Sequence, residues 1–184
     1  MKLHTHFLLY FLAAFLFICC TKKPGLQSSA RAVMEDRTNS ICSEPIQIFL
    51  VRHAEKSTND PKDPDLSKAG FERAEKLMFQ LAEADIKTIY ATKYKRTQQT
   101  AQPLADKLGI EIKIYDTDLV DIIDLVKNAK EGNVMIAGHS NTTPKLVNKL
   151  LGQERYENLD ESVYHKLFMM SKCGEHFGAT VLQY

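Results

Sequence analysis

The chain has 184 residues, a length that fits one domain better than several. A 44% hydrophobic content supplies a core and excludes a disordered chain. With 24 basic against 23 acidic residues there is no cationic excess of the kind a general nucleic-acid binder shows, so no nucleic-acid partner is expected.

The first element is apolar. In MKLHTHFLLYFLAAFLFICC a lysine near the start precedes an uncharged run from Phe7 to Ile18. That run is short for a membrane-spanning helix and suits the core of a signal peptide. Its end resembles a bacterial lipobox, in which the first mature residue is a lipidated cysteine. Cys20 fits that position better than Cys19, which would place Ile18 where a small residue is preferred. A plain membrane anchor or an ordinary signal peptide is the alternative. Residues 1–19 are thus expected to be a signal peptide, 20–44 a flexible tether and 45–184 the folded domain. Removing residues 1–19 takes Lys2 away and leaves 23 charges of each sign. The protein is expected to be exported and lipid-anchored to a bacterial membrane, on its periplasmic side or at the cell surface. Outside the cytoplasm Cys42 and Cys173 could form one disulfide, or remain two unlinked thiols.

From Pro45 the chain alternates. IQIFLV reads as a strand, and a polar loop with two prolines, STNDPKDPD, follows. LSKAGFERAEKLMFQLAEAD places Ala74, Leu77, Met78 and Leu81 at helical spacing. KTIYAT is a second strand. RTQQTAQPLADKLGI is helical, with Pro103 expected to start or kink its second part and Gly109 to end it. EIKIY is a third strand. LVDIIDLVKNA is a helix with Leu119, Ile122, Ile123 and Val126 on one face. NVMIAG is a fourth, central strand. TTPKLVNKLLG is a helix that Thr142 or Thr143 could cap, with Pro144 in its first turn and Gly152 at its end. KLFMMSK and ATVLQY close the chain as two strands, a hairpin around Gly174 and Gly178. The expected fold is a three-layer α/β/α sandwich with a mostly parallel central sheet and a closing antiparallel strand pair.

Ligands of such sheets bind beyond the carboxyl ends of the strands. Arg52 and His53 follow strand one, Lys93 to Arg96 follow strand two, and His139 follows strand four. Arg52 and Arg96 offer two planar forks of donors to a phosphate dianion. One neutral imidazole can attack phosphorus, and the other can donate to an equatorial oxygen. No metal or cofactor is required if the arginines hold the phosphate.

The stretches VRHAEK, DPDLSKAGFERA, YATKYKRTQQTAQPLA and GHSNTTPKLV, in this order, resemble the histidine phosphatase superfamily, also called phosphoglycerate mutase-like. The resemblance covers roughly residues 45–184 and looks closest to its small single-domain branch, similar to phosphohistidine phosphatases. It implies that His53 is the nucleophile that becomes a phosphohistidine. It implies that Arg52 and Arg96 bind phosphate and that His139 is the second histidine at the phosphoryl group. Asn59 would correspond to a phosphate-contacting asparagine of larger members. The family's usual acidic motif after the third strand is absent here. Asp118 and Asp116, in YDTDLVD, and Glu55 are the candidate general acids. A missing acid would point toward phosphoramidates or toward low activity on ordinary esters.

The expected activity is metal-independent hydrolysis of a phosphomonoester or phosphoramidate. The substrate would be a small phosphorylated molecule or a phosphoprotein, and the membrane a partner through the lipid anchor. The alternatives are mutase-like phosphoryl transfer and a non-catalytic lipoprotein that binds phosphorylated ligands. Lys56, Lys93 and Lys95 could add positive potential or simply be solvated. Ser140 and Asn141 could orient His139, bind phosphate through backbone amides or cap the helix. His165 and His176 read as structural or exposed, and His4 and His6 fall in the signal segment. GHSNT lacks the flanking glycines of a serine hydrolase elbow, and no helix carries zinc-ligand spacing. Loops 57–64 and 153–166 are short, which predicts an open site.

Overall fold

The computed structural model describes residues 44–184. The proposed signal peptide, the lipidation candidate Cys20, Cys42 and nearly all of the tether lie outside the described residues. The described domain has six strands: β1 Ile46–Arg52, β2 Ile86–Thr92, β3 Ile112–Tyr115, β4 Asn133–Gly138, β5 Lys166–Cys173 and β6 His176–Gln183. Between them run α1 Lys68–Leu81, α2 Lys95–Leu108, α3 Val120–Lys127 and α4 Thr142–Leu151.

The strands form one sheet in the order β3-β2-β4-β1-β5-β6. The first four are parallel, whereas β5 runs antiparallel to β1, and β6 antiparallel to β5. Side-chain alternation along β1 divides the core. Ile46, Ile48 and Leu50 pack with Ile122 and Val126 of α3 and Leu146, Val147 and Leu150 of α4. Phe49 and Val51 face the other way, onto Leu77 and Leu81 of α1 and Ala101 and Leu104 of α2. This is the expected three-layer α/β/α arrangement, with two helices on each face.

Element ends follow local chemistry. Ser67 caps α1, its hydroxyl accepting from Gly70 N–H at 3.1 Å. Gly109 ends α2 in the left-handed conformation, φ 66°. Pro103 neither starts nor ends a helix: α2 runs through it. The cap expected at Thr142 or Thr143 differs. Asn141 holds the cap position without a side-chain cap bond. The Thr142 hydroxyl instead accepts from His139 N–H at 3.0 Å, and the Thr143 hydroxyl donates to the Val51 carbonyl at 3.2 Å. β4 passes almost directly into α4, so these hydroxyls face the strand ends rather than the helix amides. The final hairpin turns at Gly174 and Glu175, with Cys173 paired to His176, and Gly178 lies within β6.

Candidate active site

The parallel register brings Arg52 of β1 level with Gly138 of β4, so the next residues, His53 and His139, emerge side by side. Their rings meet edge-on with centroids 5.5 Å apart. His53 is 4% exposed and His139 9%. The His53 amide donates to the Gly138 carbonyl at 2.9 Å, which ties the two strand ends together.

His53 Nδ1 lies 2.8 Å from the Ala54 carbonyl oxygen. A carbonyl only accepts, so Nδ1 carries the proton and Nε2 keeps its lone pair. Burial pushes His53 down to about 3; the Ala54 bond opposes this, and the charges of Arg52 and Arg96 add to it. Burial, then Arg96 and Arg52, push His139 down to about 4. Both imidazoles are therefore neutral near pH 7 in the free protein.

His139 is held on two sides. Nε2 is 3.0 Å from the Thr92 hydroxyl, which is 2.8 Å from that of Thr97. Nδ1 is 3.5 Å from Arg96 Nη2, which can only donate. A consistent assignment runs from His139 Nε2–H to Thr92 and on to Thr97, whose hydroxyl ends on the Tyr94 carbonyl at 2.7 Å. Tyr94 stacks under the Arg96 guanidinium at 4.5 Å and meets the His139 ring edge-on at 5.2 Å. Arg96 also pairs with Asp63 at 3.8 Å.

Arg52 is 1% exposed and sits over the Tyr164 ring at 4.2 Å. Because β5 is antiparallel, the segment entering it arrives at the carboxyl edge of β1. Arg52 Nη1 donates to the carbonyls of Asp160, Glu161 and Val163 at 2.9, 3.1 and 3.1 Å. Segment 153–165 therefore covers Arg52, and the site is less open on this side than its loop lengths suggest.

The structure brings Arg52, His53, Arg96 and His139 together and places the other candidates elsewhere. The Glu55 carboxylate accepts from Arg73 Nε at 2.9 Å and from Nη2 at 2.6 Å. Burial alone would raise Glu55, but the Arg73 bonds outweigh it and hold the carboxyl below its ordinary value. An ionised carboxylate clamped in this way has no proton to give. Asp116 accepts from Thr117 N–H at 2.6 Å, and Asp118 from Val120 N–H at 3.1 Å, at the start of α3. Both are exposed. Asn59 is bound to Ser57 and, through Nδ2 at 2.5 Å, to Asp65. It shapes loop 57–65 rather than offering its amide to the histidines.

Sequence reasoning missed Tyr94, Tyr164, Thr92 and Glu161. Tyr94 and Thr92 lie within a quoted stretch, YATKYKRT, but their roles depend on packing against β4. Glu161 and Tyr164 lie in ENLDESVYH, where several acids look equivalent. A cavity of about 360 Å³ adjoins Arg96 and is lined by Lys56, Ser57, Lys62 and Pro64 among others. A larger one, about 670 Å³, lies along α4 and residues 154–158 and is lined by none of the four site residues.

Residues 48–122 match the family model described as Histidine phosphatase superfamily (branch 1). Over 83 residues, 42% of this chain, the sequence is 34% identical to Phosphoserine phosphatase 1 of Hydrogenobacter thermophilus, and the match spans about two-fifths (39%) of that relative's length. The protein histidine phosphatase SixA complexed with tungstate has a similar fold, with TM-score 0.62 and 16% identity over 75% of this chain and 97% of that one. So does a phosphoserine phosphatase of Entamoeba histolytica in complex with 3-phosphoglyceric acid, with TM-score 0.58 and 14% identity over 76% and 97% of the two chains. A mycobacterial glucosyl-3-phosphoglycerate phosphatase gives TM-score 0.59 and 13% identity over 77% and 99%. At these identities the likeness is one of fold. The matched segment runs from β1 into α3, and the likeness of fold extends over about three-quarters (75%) of the chain.

Proposed function

We propose that the domain is a metal-independent phosphatase that works through a phosphohistidine on His53. The observation that carries this reading is the pairing of His53 Nδ1 with the Ala54 carbonyl, which leaves Nε2 unprotonated on a ring that feels the charges of Arg52 and Arg96. In the first step the Nε2 lone pair attacks phosphorus. The bond from phosphorus to the leaving oxygen or nitrogen breaks, and its electron pair departs with the leaving group. Arg52 and Arg96 neutralise the equatorial oxygens, and His139 faces the same group from β4. In the second step water attacks the phosphohistidine and loses a proton to solvent as its oxygen bonds to phosphorus; the P–N bond breaks, and its electrons return to Nε2. Phosphate leaves.

Glu55, Asp116 and Asp118 are each spent on a local bond. Protonation of the leaving group then falls to water, which favours groups that depart as weak bases and the labile P–N bond of a phosphoramidate. The same spent carboxylates favour a second reading, a module that binds phosphorylated ligands without turning them over. Export and lipid anchoring at Cys20 belong to the same proposal and rest on residues outside the described domain.

The test is phosphate release from an activated aryl phosphate by the full chain and by His53→Ala, with and without EDTA. A loss of at least about a thousandfold in the variant, with no effect of EDTA on the wild type, is expected. Binding of inorganic phosphate by the wild type without any turnover would replace the phosphatase by the binding module.

A further inference from the structure

Arg52 does not present all its donors to a ligand. Nη1 is taken up by three backbone carbonyls of residues 160–163. Nε is buried and makes no hydrogen bond. Nη2 donates to Glu161 Oε2 at 2.9 Å, and the same oxygen lies 3.7 Å from Lys56 Nζ. The other carboxylate oxygen accepts from the Ser140 hydroxyl at 3.3 Å. One carboxylate thus meets donors from three segments: the end of β1, the chain after His53, and the residue after His139.

The Glu161 side chain is nevertheless 69% exposed, so nothing packs it in place. Partial burial opposes ionisation, but Arg52 and Lys56 outweigh it and hold the carboxyl below its ordinary value. It stands where a bound anion would stand.

We propose that Arg52 Nη2, Lys56 Nζ and Ser140 Oγ form an oxyanion subsite that Glu161 fills in the free protein and that an oxygen of the incoming phosphoryl group takes over by displacing it. This rests on the phosphate-binding reading of the same pocket. Glu161 then sets oxyanion affinity. Its carboxylate and a phosphate oxygen cannot share one Arg52 nitrogen without like-charge repulsion. Glu161 is 69% exposed and returns to water at little cost, while the incoming oxygen keeps the buried Arg52 Nη2 paired. A dianion brings more charge and more oxygens than a carboxylate, and it also gives the buried Nε an acceptor. When the reaction ends, the tethered carboxylate is at hand to expel inorganic phosphate.

Calorimetric titration of the full chain with inorganic phosphate tests this, using wild type, Glu161→Gln, Asp160→Asn and Lys56→Met. Glu161→Gln is expected to lower Kd about three- to tenfold, as befits loss of one competing charge. Asp160→Asn removes a neighbouring charge whose carboxylate is bonded to Ser162 and not to the subsite donors, and is expected to change Kd less than about twofold. Lys56→Met is expected to raise Kd about threefold or more. The loop holds Arg52 through backbone carbonyls, so Glu161→Gln keeps that attachment, and Lys56→Met reports on the subsite without altering the loop. An unchanged or weakened affinity in Glu161→Gln, equal tightening in Asp160→Asn, or no effect of Lys56→Met overturns the subsite. If the wild type itself fails to bind phosphate, both the subsite and the phosphatase reading fall.

Discussion

At the scale of single residues, the site turns on two imidazoles kept neutral by burial. His53 sits at about 3 and His139 at about 4, so neither gains a proton between pH 8 and 5 in the free protein. The expected profile of kcat/KM, once corrected for the substrate's own phosphate ionisation near about 6, is flat down to roughly pH 5. A corrected acid limb near 6.5 would show that His53 titrates as an ordinary histidine and would remove the argument from the Ala54 bond. Arg52, His53, Arg96 and His139 were legible in the sequence because each stands at a strand end or on the first turn of the next helix, where periodicity places it. Glu55 was misleading for the same reason. It follows the nucleophile closely, yet its partner Arg73 comes from α1, which no local pattern around His53 reveals. Tyr164 and Glu161 were illegible because they reach Arg52 across about 110 residues of sequence.

At the scale of elements, the junction of β4 and α4 is closely packed. A Cβ on Gly138 would lie 2.8 Å from the Thr143 hydroxyl oxygen, 2.9 Å from the Tyr115 hydroxyl oxygen and 3.1 Å from that of Thr142. Gly138→Ala must therefore shift the Thr143 and Tyr115 hydroxyls, and it also crowds Thr142, whose hydroxyl holds the His139 amide. A loss of about 1–3 kcal/mol in urea unfolding is expected, together with reduced phosphate affinity. Unaltered stability and affinity would mean that the junction has slack these contacts deny. Helix starts read well where a side chain caps them, as Ser67 does. They read poorly at α4, where hydroxyls with good capping chemistry are drawn to the strands instead. Loop 57–65 shows a further limit. Its prolines mark it as a loop, but the bonds of Asn59 to Asp65, of Asp65 to Gln99, and of Asp63 to the Lys95 amide decide which side chains it keeps for itself.

At the scale of the whole domain, buried neutral histidines make folding sensitive to acid. The unfolded chain's histidines bind protons near 6.5, whereas folded His53 and His139 do so near 3 and 4. Above 6.5 neither state is protonated and the pair contributes nothing to pH dependence. Below 6.5 the unfolded state gains protons first, so stability falls as pH drops, by up to about 1.4 kcal/mol per pH unit for each ring. Urea unfolding from pH 7 to 5 is expected to show this decline, and His139→Gln to reduce its slope by roughly half. Equal stability at both ends would mean that these rings are hydrated enough to take up protons when folded. The order of strands and helices was legible from apolar periodicity alone. The direction of β5 against β1 carried a consequence that was not, since only an antiparallel strand delivers its entry loop to the edge where the histidines emerge.

That entry loop is fastened in an unusual currency. Arg52 grips it by main-chain oxygens of Asp160, Glu161 and Val163, groups that every amino acid supplies. The exposed side chains of Asp160 and Glu161 can be exchanged without loosening the fastening, whereas Val163 packs against the core. Ligand preference in this domain can therefore drift by point substitution at Glu161 at little risk to the scaffold. Proline insertion or a changed loop length would act in the opposite way, releasing the arginine and the loop in one step.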